Sequence, residues 1–316
     1  MARFPPIDLS KIRTYPLGSR PSKVAAAALG RVHAVGASFR EFFDGLPAIL
    51  AARDVRVIAT AIATRHRAGK TVALGMGAHP IKVGLSPLII DLLARGVVQA
   101  VAMNGAAIIH DFEIAFQGET SEDVAAHLQT GRFGMAQETG DFLNRAIVDG
   151  ARDQLGLGQS VGRAIVTAGL PNRHLSILAA AWQRDVPATV HVAVGTDIIH
   201  MHPSADGAAI GSTSLADFRT LAAVAARMDG GAFINLGSAV VIPETFLKAL
   251  NLARNVGATV QDLVTVDMDF QRHYRPHVNV VQRPTLGSGQ GYELTGHHEI
   301  MFPLLCAAIS EELARG

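Results

Sequence analysis

Apolar runs alternate with helix-length amphipathic segments along most of this chain. Between Thr71 and Asp111, an apolar run at residues 71–76 is followed by a helix-length apolar segment at 85–93 and a second apolar run at 97–103. Glycines stand at the boundaries, so this stretch predicts strand, helix and strand, a βαβ unit of ordinary size. Such units have right-handed crossovers and place ligands at the carboxyl ends of their strands.

The same alternation continues to the end of the chain. Further helices are predicted at residues 46–67, 137–157, 174–184, 215–228, 243–255 and 301–313, with short helical pieces at 25–29 and 39–43. Further strands are predicted at residues 188–194, 232–236, 260–266 and 277–281, and loops at 197–212 and 286–291. This order predicts an α/β fold with a doubly wound, mainly parallel sheet. Because no linker or composition shift is visible, we expect one domain over residues 1–316, with an N-terminal arm at 1–22.

Composition narrows the class of protein. The chain has 316 residues, of which 49% are hydrophobic and 17% charged, as expected for a compact globular protein. A net charge of +1 gives no case for nucleic acid or a membrane surface as a partner. The single cysteine, Cys306, excludes an internal disulfide and suits a reducing compartment. The absence of a signal-like N-terminus and of an apolar run of about 20 residues predicts a cytoplasmic protein without membrane spans.

Polar residues follow both strands of the βαβ unit. Lys82 stands between two apolar residues, so we expect a partly desolvated amine that forms a Schiff base or holds a substrate carboxylate or phosphate. A lysine that reaches the surface is the alternative. His79 precedes Lys82 by three residues and would share its helix face as a general acid or base. His110 is a further candidate base, with Asp111 either orienting it or facing a helix start.

A second polar group combines His200 and His202 with His297, His298 and Glu299. On a strand, the His-x-His pair would place both rings on one face, which is a common metal geometry. We favour the other interpretation, that these histidines contact substrate or pack at a subunit interface, and predict no metal. Asp267 ends a predicted strand and is a candidate for ligand contact.

Four segments, taken together and in order, resemble the deoxyhypusine synthase family. They are AVAMNGAAIIHDFEIAF, PSADGAAIGS, INLGSAVVIPETFLKALNLARNVGA and MFPLL, and the resemblance covers residues 71–305. It implies a Rossmann-like fold that binds NAD. It also implies a homotetramer with sites at a dimer interface, and chemistry in which an oxidised amine passes an aminobutyl group through a lysine imine. The NAD contacts that it implies are Gly77, Asn104, Gly105, Ala106, Asp206, Gly207, Gly237 and Ser238. We add Asp267 to this predicted cofactor site because it ends a predicted strand.

The chain departs from the family where the polyamine binds. The segment that matches the imine-forming lysine is Val281–Pro284, which contains no lysine. Ser212 replaces a polyamine-binding carboxylate, Pro243 or its neighbour replaces a histidine, and His297–His298 replace an Asp-Ala pair. The resemblance therefore implies an NAD-binding fold with an altered substrate site.

Together these observations predict an NAD-binding enzyme that transfers a hydride from a small alcohol or amine, with possible imine or group-transfer chemistry. Its catalytic residues would be Lys82, His79 and His110. Its substrate-binding residues would be His200, His202, Ser212, His297 and His298. The alternatives are a metal-dependent lytic or hydrolytic enzyme that uses the histidine cluster, and a binding protein that has lost catalysis.

Overall fold

A computed structural model describes residues 4–315 of the chain. They divide into two compact units, one ending at Arg53 and one beginning at Asp54. The single domain with an N-terminal arm at residues 1–22 stays a prediction. The first unit contains three short 3₁₀ turns and helix α1, Phe39–Gly45. Ser38 and Glu41 form a capping box at the start of α1, because each side chain accepts a hydrogen bond from the other residue's backbone N–H.

Within the described residues, six strands form one parallel sheet in the second unit. In chain order they are β1 Val72–Met76, β2 Ala100–Asn104, β3 Ala188–His191, β4 Ala232–Leu236, β5 Val264–Asp269 and β6 Gln290–Thr295. The spatial order is β3-β2-β1-β4-β5-β6, and every neighbouring pair is parallel. The chain therefore winds outward in both directions from the β1–β4 pair, which confirms the predicted doubly wound α/β fold.

Helices precede, connect and follow the strands. They are α2 Leu50–Arg67, α3 His79–Lys82, α4 Ser86–Ala94, α5 Gly105–Gln117, α6 Val124–Leu128, α7 Gln137–Arg152, α8 Leu157–Thr167, α9 Ile177–Gln183, α10 Gly207–Ala226, α11 Val241–Asn255, α12 Tyr274–Pro276 and α13 His298–Leu313. A π-helical turn, His277–Gln282, continues α12. Among residues 4–315, no helix combines the length and apolar character needed to cross a membrane.

The core lies on both faces of the sheet. All residues of β1, β3, β4 and β5 are buried, as expected for strands that helices cover on both sides. On one face, α10 and α11 pack against the strands, and the rings of Phe233 and Phe246 stack with their centroids 3.7 Å apart. This packing fixes the carboxyl ends of the strands, where the polar residues lie.

Most predicted elements are confirmed, and three are corrected. The predicted strand at 277–281 is helical, since Pro276 and its neighbours begin a helix that runs through it. The glycine-rich loop predicted at 286–291 leads directly into β6, an edge strand too poor in apolar residues to show a pattern. The loop predicted at 197–212 holds a 3₁₀ turn, Ile198–Met201, and the start of α10, which Asp206 caps.

Candidate functional site

The sheet reverses its winding direction between β1 and β4, and a glycine directly follows each of these strands. Gly77 donates a hydrogen bond to the Leu236 carbonyl across 3.1 Å. A Cβ atom added to Gly77 would lie 2.3 Å from the carbonyl oxygen of Gly237, so only glycine permits this approach. Gly237 has a φ of +66°, in the left-handed region. In open α/β sheets, ligands bind in the crevice at this switch point.

Two histidines meet beside this crevice. His79 begins α3 and His298 begins α13, and their Nδ1 atoms are 2.7 Å apart. The His298 side chain is fully buried, and its Nε2 lies 3.2 Å from the Met268 carbonyl oxygen on β5. The Phe270 ring packs against both imidazoles, at centroid distances of 5.3 and 5.8 Å. The pair therefore joins the first turn after β1 to the end of β5.

The hydrogen bonds fix how the protons are arranged along this pair. The Met268 carbonyl only accepts, so Nε2 of His298 carries the hydrogen. Burial lowers the pKa of His298, although nearby Asp269 opposes the shift, so this imidazole is neutral and its Nδ1 accepts from His79. Nδ1 of His79 then carries the hydrogen of this bond, so Nε2 is the nitrogen through which the ring can exchange a proton. His79 is thus oriented as a proton acceptor by a buried neighbour.

A second group of polar side chains lines the ends of β4 and β5. Asn235 donates from Nδ2 to Asp267 across 2.8 Å and to the Ser238 carbonyl across 2.9 Å. Its Oδ1 is buried and has no hydrogen-bond partner among the described residues. Burial raises the pKa of Asp267 to about 7, helped by Asp269 and Glu293 and opposed by the bond from Asn235. The predicted cofactor residues Gly237, Ser238 and Asp267 thus lie close to Asn235, whose Oδ1 receives no hydrogen bond from the described residues.

On the other side of the crevice, β2 leads directly into α5. Asn104 caps this helix by accepting from the Ala107 N–H across 3.1 Å. A Cβ atom on Gly105 would lie 1.9 Å from Oδ2 of Asp197, so this carboxylate packs against the glycine. Burial raises the pKa of Asp197 to about 6. Its Oδ2 has no hydrogen-bond partner within residues 4–315. Sequence reasoning missed Asp197, although an acidic residue soon after a buried strand was the signal that pointed to it.

Asp197 lines a cavity of about 210 Å³. Its walls also include Lys82, Ala106, Ile109, His110, Glu113, Ser121, Glu122, Val124, Phe133, Thr196 and Ile198. Lys82 is exposed, so the expectation of a partly desolvated amine is wrong, and the alternative that the side chain reaches the surface is correct. The predicted catalytic pair Lys82 and His110 does share this cavity.

His110 is held in a defined orientation by a threonine. Its Nδ1 lies 2.7 Å from the hydroxyl of Thr120, which itself donates to the Glu113 carboxylate. Because that hydroxyl hydrogen is already used, Nδ1 of His110 must be the donor, and Nε2 keeps its lone pair. Burial, with a smaller effect of Lys82, lowers the pKa of His110 to about 4, so the ring stays neutral. Asp111 does not orient it.

Asp111 instead binds the start of α9, as the alternative interpretation held. Its carboxylate accepts from the Ser176 hydroxyl across 2.5 Å and from the N–H groups of Ile177 and Leu178 across 2.7 and 3.3 Å. The side chain is fully buried. Its function in this chain is therefore structural.

The remaining predicted site residues are more scattered. Asp206 is exposed and accepts from the N–H groups of Ala208 and Ala209, Gly207 is exposed, and the Ser212 hydroxyl donates to a carbonyl of its own helix. His202 donates to the Gly134 carbonyl, across 2.8 Å. These four residues are occupied by local structure or face solvent.

The histidine pairs do not form the arrangement that their spacing suggested. His200 and His202 belong to a 3₁₀ turn and its end, not to a strand, so their rings do not share a face as predicted. The His297 side chain is 73% exposed while that of His298 is fully buried. Among residues 4–315, no three His, Cys, Asp or Glu side chains come together as a metal-binding group would require.

No protein family's model matches the chain, and no curated protein matches it in sequence. Similarity is found among solved structures, where it shows the fold. A proposed deoxyhypusine synthase from Entamoeba histolytica is 12% identical over 89% of this chain and 96% of its own, with a TM-score of 0.52. A proposed LOR/SDH protein from Methanococcus maripaludis S2 is 14% identical over 84% of this chain and 70% of its own, with a TM-score of 0.52.

A third similar structure is the ternary complex of AgrE with ornithine and NAD+. It is 12% identical over 84% of this chain and 34% of its own, with a TM-score of 0.53. The chain thus spans about a third of the length of AgrE. Together the three matches show that the chain shares the α/β fold of deoxyhypusine synthase-like and LOR/SDH-like proteins.

Proposed function

We propose that this chain is an NAD-binding enzyme that oxidises a small alcohol or amine. It would remove a hydride from the carbon that bears the hydroxyl or amino group. The observation that carries the proposal is the His79–His298 pair beside the β1–β4 crevice, where its fold places ligands. The order of the four sequence segments and the NAD+ bound to AgrE support the same cofactor.

The residues around the crevice fit a dinucleotide. Gly77 and Gly237 let the ends of β1 and β4 and the His298 ring pack closely at the switch point. The buried Oδ1 of Asn235 needs a donor that a ribose hydroxyl or carboxamide would supply. We expect the dinucleotide to be held by Gly77, Asn104, Gly105, Ala106, Gly237, Ser238 and Asp267. Asp206 and Gly207 become weaker candidates, because Asp206 already caps α10.

Bound NAD supplies the hydride acceptor. The chain's own contribution is proton transfer: Nε2 of His79 takes the proton from the substrate hydroxyl or amine as the carbon loses its hydride. The positive charge that His79 gains is stabilised by Nδ1 of neutral His298, whose own N–H is held by the Met268 carbonyl. A base oriented through a buried hydrogen bond contributes about 100-fold to 10,000-fold in rate.

Lys82 has a different proposed role from the imine chemistry suggested by its sequence. The Lys82 side chain is exposed and ends in a compact cationic group on a flexible stem, so we propose that it binds an anionic group of the substrate. The absence of lysine from Val281–Pro284 also removes the family's covalent route. A homotetramer remains part of the proposal by resemblance, and light scattering of the purified protein measures it.

The test measures binding and turnover separately. Purified protein is denatured to release any bound nucleotide for mass spectrometry, and thermal stability is recorded with added NAD+. NADH absorbance is then followed with small alcohols and amines. His79→Gln should abolish turnover while keeping NAD+ binding, whereas His174→Gln, an exposed histidine outside the site, should match the unmodified chain.

The rival functions give different results. Protein that neither contains nor binds NAD refutes the proposal, and bound stoichiometric metal would favour the metal-dependent alternative. Protein that binds NAD but gives no turnover with any amine or alcohol would favour the binding protein. Full turnover in His79→Gln would remove His79 from the mechanism.

A further inference from the structure

The cavity beside α5 has an excess of negative charge. Asp197, Glu113 and Glu122 line it, and Lys82 is the one cation among its lining residues, all of which the structure describes. The Glu113 carboxylate already accepts from Thr120 and Thr139, and that of Glu122 from His127 and the Gly134 N–H. These bonds satisfy the two carboxylates without neutralising them, so the cavity attracts a cationic group.

Two acceptors of the cavity lining keep hydrogen-bonding capacity. Oδ2 of Asp197 is buried and has no hydrogen-bond partner among residues 4–315, although Nε2 of His200 lies 4.0 Å away, and the Asp197 side chain is only 5% exposed. Nε2 of His110 retains its lone pair because Nδ1 donates to Thr120. An ammonium group offers three donors and no acceptor, whereas a hydroxyl offers one donor. Acceptors in an acidic setting therefore favour an amine over an alcohol.

Lys82 sets the requirement for the other end of the ligand. Within the described residues its side chain forms no ion pair or hydrogen bond. A second ammonium would be repelled by it, whereas a carboxylate would supply the missing partner. Lys82 also ends α3, the four-residue helix that His79 begins, so one short helix carries both a lining residue of the cavity and the proposed base.

We propose that this cavity binds a small molecule with an ammonium group at one end and a carboxylate at the other. The ammonium donates to Asp197 and His110, and the carboxylate pairs with Lys82. A volume of about 210 Å³ limits the ligand to a compact amino acid. That this ligand is also the substrate rests on the proposed function, whereas its binding does not.

Titration calorimetry without NAD tests the binding with four compounds of equal chain length. 4-Aminobutyrate carries both groups, 1,4-diaminobutane two amines, succinate two carboxylates, and 4-hydroxybutyrate a hydroxyl in place of the amine. Glycine, β-alanine and 6-aminohexanoate extend the series in length. The proposal expects an amino acid of the preferred length to bind at least about tenfold more tightly than its diamine, dicarboxylate and hydroxy-acid analogues. Equal binding of any analogue, or no binding by the whole series, overturns it.

Variants identify which end binds where. Lys82→Glu should reverse the preference, so that the diamine binds more tightly than the amino acid. His110→Phe and Asp197→Asn should each weaken amino-acid binding about tenfold or more. Lys70→Gln and Asp229→Asn, a surface ion pair before β1 and β4, are the matched controls and should bind as the unmodified chain does. Because Lys82 is exposed, Lys82→Glu should fold, and an unchanged preference in that variant refutes the assignment.

The two proposals fail separately. Protein that binds NAD but shows no amino-acid preference keeps the proposed function and loses this inference. Protein that binds the amino acid but not NAD keeps the cavity assignment and loses the proposed redox function.

Discussion

Replacing Gly77 by alanine tests the switch point itself. The added Cβ atom would lie 2.3 Å from the Gly237 carbonyl oxygen, whereas heavy atoms in such contact normally stay beyond 3.0 Å. The obstacle is backbone, so β1 and β4 must separate by roughly 1 Å at their carboxyl ends. Overpacking of this kind destabilises a protein by about 1–3 kcal/mol. For a chain of this size, we expect the melting temperature to fall by roughly 1.5–5 °C.

Gly207→Ala is the matched control, because a Cβ atom there meets nothing within 4 Å and the backbone has no positive φ. Differential scanning calorimetry should show no loss of stability in this variant. NAD+ titration of the folded Gly77→Ala protein, well below its melting temperature, should show affinity reduced about tenfold or more. Unchanged melting of Gly77→Ala would refute the close approach of the two strands. A destabilised protein with unchanged NAD+ affinity would refute the location of the dinucleotide.

Three further perturbations follow from the buried polar groups. His79→Gln and His298→Gln should each lower kcat about 100-fold or more without changing NAD+ affinity. The double variant should be no slower than His79→Gln, since the two histidines act as a unit. Additive losses would show that they act independently. Asp111→Asn should destabilise the chain by about 2–4 kcal/mol in urea unfolding, because the amide cannot accept all three hydrogen bonds. Burial raises the pKa of Asp217 from 3.8 to about 7, so its contribution to stability is present below about pH 4 and is lost as pH rises to about 7. Asp217→Asn should therefore make the fall in melting temperature between about pH 4.5 and 7.5 shallower without removing it, since Asp197 and Asp267 titrate over the same range. An unchanged slope would contradict this assignment.

The sequence was sufficient for most of the sheet, because its strands are buried on both faces and read as continuous apolar runs. β1, β2 and β4 were located within a few residues for this reason. β6 was missed because an edge strand needs fewer apolar residues, and only Leu294 among its six residues is fully buried. The start of α10 was placed too late because its first residues are small and show no apolar periodicity.

The candidate site was less predictable, because its contacts join distant parts of the chain. His79 and His298 were both proposed as site residues, but nothing local indicates that residues 219 positions apart share a hydrogen bond. Burial was also misjudged: Lys82 follows a buried isoleucine, yet its side chain reaches the surface. The local hydrophobic pattern of the sequence indicates which face of its helix or strand a residue occupies. Which residues from other elements become its neighbours at the sheet edge depends on the order of the strands.

Two of the four departures from the resembling family bear on the proposed chemistry. Without a lysine in Val281–Pro284, the chain has no nucleophile at the position where the resembling family forms its imine. His298, at the position of a small apolar residue, supplies instead a buried acceptor that only a second imidazole, His79, fills. By resemblance, the chain thus lacks the lysine that would carry a covalent group, while the His79–His298 pair provides a proton acceptor. This exchange supports hydride removal coupled to proton transfer over transfer of an aminobutyl group, because the first needs an oriented base and the second needs the lysine.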